Sequence, residues 1–303
     1  MRYDVPTSKL GCAMRRLLPI IVLAVLVSAV CLVHFSPWRE QPVPLEGRLL
    51  KVHFLDVGQG DSILLQTPDG RNVLVDAGDE TSGEYVTRYL ARNGVHQIDL
   101  LVITHPHSDH IGGLPRVLEE FGVSRVLDTG YPHGSLTYRN ILSTIAARKI
   151  DYKVASELPK PEVSTSVSFR VLWPPADYSP GEEDLNDGSI VLRVKYGDVA
   201  VLLTGDIQEE AEGRLLASRQ DLESTILKLA HHGSEYGTSN EFLQVVKPSF
   251  VVISVGDDNS YGHPANVVLE RLKATGAQVF RTDGQGTIVF ATDGRNVQVR
   301  SGR

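Results

Sequence analysis

Apolar positions along this chain group in two ways, and the difference divides it. Near the N-terminus, Leu17 to Phe35 (LLPIIVLAVLVSAVCLVHF) is almost unbroken in apolar character. A helix needs roughly 20 such residues to cross a bilayer. Arg15 and Arg16 precede the run, Trp38 follows it, and Asp4 is the only acid upstream. The positive-inside rule therefore puts residues 1–16 in the cytoplasm, makes 17–36 a membrane-spanning helix, and sends the rest outside. A cleaved signal segment fits as well, since Ser28-Ala29-Val30 supplies small residues without an A-x-A pattern. Met14 is a second candidate start. Residues 37–48 read as a linker around Pro42 and Pro44. A globular domain is expected over 49–303, on the outer side of the cell membrane, anchored or secreted.

Beyond Leu49 the apolar runs are short and alternate with turn signals. Leu49–Asp56, Ser62–Gln66 and Asn72–Asp76 read as strands, separated by Val57-Gly-Gln-Gly60 and Thr67-Pro-Asp-Gly70. Gly83–Asn93 has helical periodicity and stops at Gly94, and Asp99–Thr104 is a buried strand. Helices are expected over Leu114–Phe121, Leu136–Lys149, Ile207–Ser218, Asn240–Val246 and Ala265–Thr275. Further strands are expected at Val126–Leu127, Val167–Leu172, Ser189–Tyr196, Val199–Leu203, Ile226–Ala230, Phe250–Val255, Gln278–Arg281 and Thr287–Ala291. Hairpins that give way to alternating strands and helices point to a layered α/β fold, with two packed sheets and helices outside.

Composition narrows the chemistry. The net charge is -7, with 30 Lys+Arg against 37 Asp+Glu. That balance does not favour nucleic-acid binding by charge alone, because phosphate contacts rest on Lys and Arg. The two cysteines, Cys12 and Cys31, both precede the globular part. That part has no disulfide framework, and any metal there is held by His, Asp or Glu.

The densest set of such donors is His105-Pro-His107-Ser-Asp109-His110, directly after the apolar strand and followed by Gly112-Gly113. Imidazole and carboxylate suit zinc and manganese alike. Other polar residues also stand at strand ends: Asp76 after Val75, Asp206 after Leu203-Thr-Gly, His231-His232 after Leu229-Ala, and His263 in Tyr261-Gly-His-Pro264.

These motifs resemble, in order, those of the metallo-β-lactamase superfamily. The resemblance implies an αββα four-layer sandwich holding one or two ions of Zn or Mn. His105 and His107 would hold the first ion; Asp109, His110 and His232 the second; Asp206 would bridge them. Asp76 would brace the ligand loop by hydrogen bonds. One departure stands out. Many members carry a further first-metal histidine before the Asp206 strand, where this chain has Asp184-Leu-Asn186-Asp187-Gly-Ser189. Asn186 or Asp187 would have to replace it; His133, in another loop, is a weaker candidate.

Phe54-Leu-Asp56-Val-Gly58-Gln-Gly60-Asp61-Ser62, Thr104 to Gly113, Asn186-Asp-Gly-Ser189, Thr204-Gly-Asp206, His231-His-Gly-Ser234 and Tyr261-Gly-His-Pro264 narrow this further. Together they are similar to the C-terminal hydrolase domain of the ComEC family of competence (DNA-uptake) channels, over about Leu49 to Gly294. A polytopic channel is not legible, so a membrane channel would be a partner. The implied chemistry is metal-dependent hydrolysis of a phosphodiester in DNA or in an envelope polymer. Asp109 would serve catalysis as well as binding, and His263 or His231 would protonate the leaving oxygen. A choline- or teichoic-type esterase and a non-catalytic accessory module are the competing readings. The sequence gives no oligomeric state.

Overall fold

The computed structural model describes residues 45, 47–181 and 185–302. The apolar segment 17–36 lies outside the described residues. Among the described residues, no helix is long and apolar enough to cross a membrane.

In chain order the strands are β1 Leu50–Phe54, β2 Ile63–Gln66, β3 Asn72–Val75, β4 Gln97–Ile98, β5 Leu100–Ile103, β6 Gly122–Val123, β7 Arg125–Asp128 and β8 Asp151–Val154. They continue as β9 Ser168–Trp173, β10 Val191–Tyr196, β11 Val199–Leu203, β12 Ile226–Lys228, β13 Phe250–Ile253, β14 Gln278–Arg281, β15 Ile288–Thr292 and β16 Val297–Ser301. One sheet runs β16-β15-β1-β2-β3-β5-β7-β8 and the other β14-β13-β12-β11-β10-β9.

Successive side chains on a strand point to opposite faces, and both faces of each sheet are buried. Val73 and Val75 of β3 and Leu100 and Val102 of β5 face the other sheet, meeting Leu192, Val194, Val201 and Leu203. The intervening Leu74, Leu101 and Ile103 face outward, against Val86, Leu90, Leu114, Val117, Ile141 and Ile145 of three helices, Gly83–Arg92, Leu114–Glu120 and Leu136–Ala147. The second sheet repeats the arrangement. Leu202, Leu227, Val251 and Ile253 pack under Leu215, Phe242, Val268 and Leu272 of the helices Glu209–Ala217, Asn240–Val246 and Asn266–Thr275. The result is the αββα sandwich expected from the motifs. Each large aliphatic side chain buried in it contributes about 1.5–3 kcal/mol of transfer free energy.

The strands that carry the motifs are parallel: β3, β5 and β7 in one sheet, and β11, β12, β13 and β14 in the other. Parallel strands share one C-terminal edge, the usual place for sites in α/β sheets. Several boundaries differ from the expected ones. Asp151–Val154 and Val297–Ser301 are edge strands that were not expected: each is short and half-exposed, with only two apolar positions to mark its alternation. The helix expected from Ile207 starts at Glu209. The strand expected to reach Ala230 ends at Lys228, and Ala230–Gly233 turns sharply, with His231 and His232 at φ 45 and 55. Thr282–Gln285 is a short helix where none was expected.

Candidate metal centre

The first donors come from the loop after β5. Its shape depends on Asp76, a buried residue at the end of β3 with φ 55. Asp76 Oδ1 accepts from Thr104 N at 2.9 Å, and Oδ2 accepts from Thr104 Oγ1 at 2.6 Å. Oδ2 also lies 2.8 Å from His110 Nδ1. A carboxylate only accepts, so His110 Nδ1 carries a proton and Nε2 is left to face the centre. A left-handed aspartate costs backbone strain, and these bonds hold it there. Asp76 thus braces the ligand loop. From the other side, Asp61 N donates to Asp109 O at 3.2 Å. A Cβ on Gly60, at φ +134, would lie 2.1 Å from that same oxygen. Only glycine allows this approach.

The second sheet supplies the rest. Asp206 follows β11, and Ser189 Oγ accepts from its N–H at 3.1 Å. His232 follows β12, with Nδ1 2.8 Å from the Ser254 carbonyl oxygen after β13. Nδ1 therefore donates, and Nε2 points inward as the donor atom. Asp206 Oδ2 is the common point. It lies 3.1 Å from His110 Nε2, 3.3 Å from His232 Nε2, and 3.9 Å from both His105 Nε2 and His231 Nε2. Asp109 Oδ2 is 3.3 Å from His232 Nε2 and 3.8 Å from His110 Nε2. Ligand atoms of Asp109, His110, Asp206 and His232 all lie within 4.8 Å of one another. His105 Nε2 and His107 Nδ1 are 3.0 Å apart on the adjoining side.

The strand ends thus bring together His105, His107, Asp109, His110, Asp206, His231 and His232. His107, Asp109, Asp206, His231, His232 and His263 line one cleft of about 300 Å³. The His263 loop is tied by Asn259, which accepts from His263 N and donates to His263 O. The His231 and His263 rings lie 5.6 Å apart. His133 lines a different cavity, its ring 6.4 Å from that of His107. Asp187 does not stand in for the missing histidine: its Oδ1 accepts from Gln208 N and Ala211 N, capping the helix Glu209–Ala217.

Two residues at the centre were not singled out as functional from the sequence. Lys228, fully buried at the end of β12, sits 2.5 Å from Asp61 Oδ2 and 3.7 Å from Asp206 Oδ1, and donates to Gly205 O at 3.2 Å. Asp61 is equally buried. A lone lysine inside the apolar run Ile226-Leu-Lys-Leu-Ala230 was the available signal, because Lys is almost never fully buried unless paired.

The charges explain why a cation belongs here. Asp61, Asp76, Asp109 and Asp206 face a single lysine. Burial alone would lower the His110 and His232 pKa values. Asp206, followed by Asp76, instead raises His110 well above the ordinary value; Asp206 and Asp109 raise His232 to about 9. Burial would in turn raise Asp206, but His110 and His232 hold it well below the ordinary range. In the metal-free protein, two imidazolium protons thus offset the excess carboxylates. Asp206 Oδ1 and His232 Nε2 are nonetheless buried without a hydrogen-bond partner. Oxygen and imidazole donors so placed fit a divalent cation such as zinc or manganese. A divalent ion can displace two protons with no change in net charge.

That exchange is measurable. Metal uptake near pH 7 should release about one to two protons per ion, read by calorimetry in buffers of different ionisation enthalpy. Apparent affinity should climb with pH, and less steeply above about 9, where His232 has lost its proton. The raised His232 pKa stabilises the metal-free fold fully below pH 6.5, and that contribution is lost as pH rises through about 9. Metal uptake that releases no protons between pH 6 and 9 would contradict this account.

A model described as the Metallo-beta-lactamase superfamily matches residues 55–257. The chain belongs to the metallo-beta-lactamase superfamily. Within it, the chain is related to ComEC-family proteins. It is 31% identical over 259 residues to ComE operon protein 3 of Bacillus subtilis (strain 168), covering 79% of this chain and 33% of that protein. It is 31% identical over 258 residues to Competence protein ComA of Neisseria gonorrhoeae, covering 84% and 34%. The chain spans about a third of the length of these curated relatives. Among solved structures, Igni18, a metallo hydrolase from Ignicoccus hospitalis, aligns with a TM-score of 0.52 at 18% identity, covering 80% of this chain and 98% of that one. That likeness shows the fold. With the His/Asp cluster at the family's site, this chain is a metal-dependent hydrolase of the metallo-beta-lactamase superfamily.

Proposed function

We propose that this metallo-hydrolase cleaves phosphodiesters outside the cytoplasmic membrane, with zinc or manganese held by Asp109, His110, Asp206 and His232. The observation that carries this reading is the layout of the cleft. Its floor is the carboxylate and imidazole cluster, and its wall carries His231 and His263, each with a buried Nδ1 that makes no hydrogen bond. When bound, the ion supplies a Lewis acid and a water acidic enough to ionise near neutral pH.

The chain's own residues do the remainder. Asp109 and Asp206, both held ionised, would repel an anionic phosphodiester until a cation is present, so substrate binding itself becomes metal-dependent. Burial, the largest influence on each, keeps His231 and His263 below the ordinary histidine pKa, so both rest neutral. An anionic phosphate beside them favours their protonated forms. Either can then hand a proton to the leaving oxygen. Asn259 holds the His263 loop at the cleft for this role.

DNA is the substrate we favour, by analogy with the competence proteins to which the chain is similar; a membrane channel would then be its partner, with 17–36 as the anchor. The net charge of -7 favours the second reading, a choline- or teichoic-type envelope phosphodiester. Full-length protein loaded with zinc or manganese should hydrolyse bis-p-nitrophenyl phosphate, lose the activity to a chelator, and regain it with metal. Single-stranded DNA assayed beside teichoic-type esters separates the two substrates. Hydrolysis of carboxylic esters or lactams with none of any phosphodiester would overturn the proposal.

A further inference from the structure

The first-metal side of the centre has two imidazoles and lacks the third found in many members of the superfamily. The two present are oriented for metal. Thr104 Oγ1 gives its proton to Asp76 Oδ2, so at 3.1 Å it accepts from His105 Nδ1. His105 Nε2 is then the lone-pair nitrogen and accepts from His107 Nδ1 at 3.0 Å, so a shared ion would take the place of that proton, leaving His107 protonated at Nε2. Both can serve one ion, with Asp206 Oδ2 3.9 Å from His105 Nε2.

The loop before β10 is tied to both parts of this site. Ile190 N donates to Thr104 O at 3.0 Å, one residue before His105. Ser189 Oγ accepts from Asp206 N at 3.1 Å, and Ser189 N donates back to Asn186 O at 2.9 Å, closing a turn. Asn186 is thereby held at the cleft that His107 and Asp206 line. Its carboxamide Oδ1 is buried and makes no hydrogen bond. A buried polar atom left unsatisfied is costly, and a cation would satisfy it. Asp187, the other oxygen donor in the turn, is engaged in capping its helix.

We propose that the Asn186 carboxamide oxygen is the third protein donor of the first ion, beside His105 Nε2 and His107 Nδ1. The inference rests on the metal-dependent reading of the centre, and is independent of the substrate. It has a chemical consequence. An amide oxygen is a harder and weaker donor than imidazole. The first ion should therefore be the exchangeable one, and its site should discriminate less against manganese than the second site does.

The test is metal binding by the full-length chain, read by elemental analysis after dialysis and by Co(II) absorption during titration. Wild type should keep about one zinc per chain and take up a second about 10–100-fold more weakly. Asn186→His should retain two, a gain that misfolding cannot produce. Asn186→Ala should lose the weaker phase and keep the tighter one, with an unchanged thermal melt in the one-zinc form. A weaker phase in Asn186→Ala equal to that of wild type, or no gain in Asn186→His, overturns the inference. Wild type that binds no ion at all would remove the metal-dependent reading itself.

Discussion

Asp206→Asn should lower metal-dependent phosphodiester hydrolysis on the order of 10³-fold. It should also weaken metal binding on both sides of the centre. One oxygen of Asp206 faces His110 Nε2, His232 Nε2, His105 Nε2 and His231 Nε2, all within 3.9 Å. The amide keeps the size and removes the charge. It also places an N–H₂ group, which cannot coordinate, where an oxygen stood in one of its two orientations. In the metal-free protein the same change withdraws the main partner of two imidazolium groups, so His110 and His232 should titrate lower. Steady-state rates, zinc stoichiometry and histidine NMR titration read the three effects separately. An Asp206→Asn protein with wild-type rates and stoichiometry would sink the mechanism.

Lys228→Met should destabilise the fold by about 3–5 kcal/mol, the usual penalty for removing one partner of a buried ion pair. Lys228 is fully buried, and burial would push its pKa down. Asp61, then Asp206, raises it instead, so it stays charged. Its loss leaves Asp61 buried without its cation and removes a donor from Gly205 O. Methionine fills much of the same volume, which limits any cavity effect. Denaturant melts of metal-free and zinc-loaded protein would measure the cost. The double change Lys228→Met with Asp61→Asn should recover more than half of it, because both buried charges are then gone. A single Lys228→Met protein as stable as wild type would show that the pair contributes nothing net.

The four-layer order was legible because each layer writes its own period along the chain. Val73-Leu74-Val75 and Leu100-Leu101-Val102 are apolar at every position, the mark of strands covered on both faces. The edge strands Asp151–Val154 and Val297–Ser301 were not read, since each offers only two alternate apolar positions, too short a pattern to stand out. The candidate donors stood out for a related reason. His105, His107, Asp109 and His110 sit within six residues at one strand end, and a cluster that dense and polar stands out against the apolar run before it.

By itself, then, the sequence determined the sandwich, the donor types and the strand ends that bear them, because those depend on local periodicity and short spacing. It left open which oxygen donor of the 186–187 turn faces the metal. It hinted at a buried lysine within the apolar run Ile226 to Ala230, but did not name its partner. The tertiary structure shows where Asp187 and Lys228 are engaged. Asp187 is removed from the choice by a helix that begins some 20 residues later, at Glu209. Lys228 acquires its meaning from Asp61, which lies in the opposite sheet's loops and touches it only when the two sheets close. Contacts of this kind are set by how the two C-terminal edges meet, and no pattern within either segment encodes that meeting.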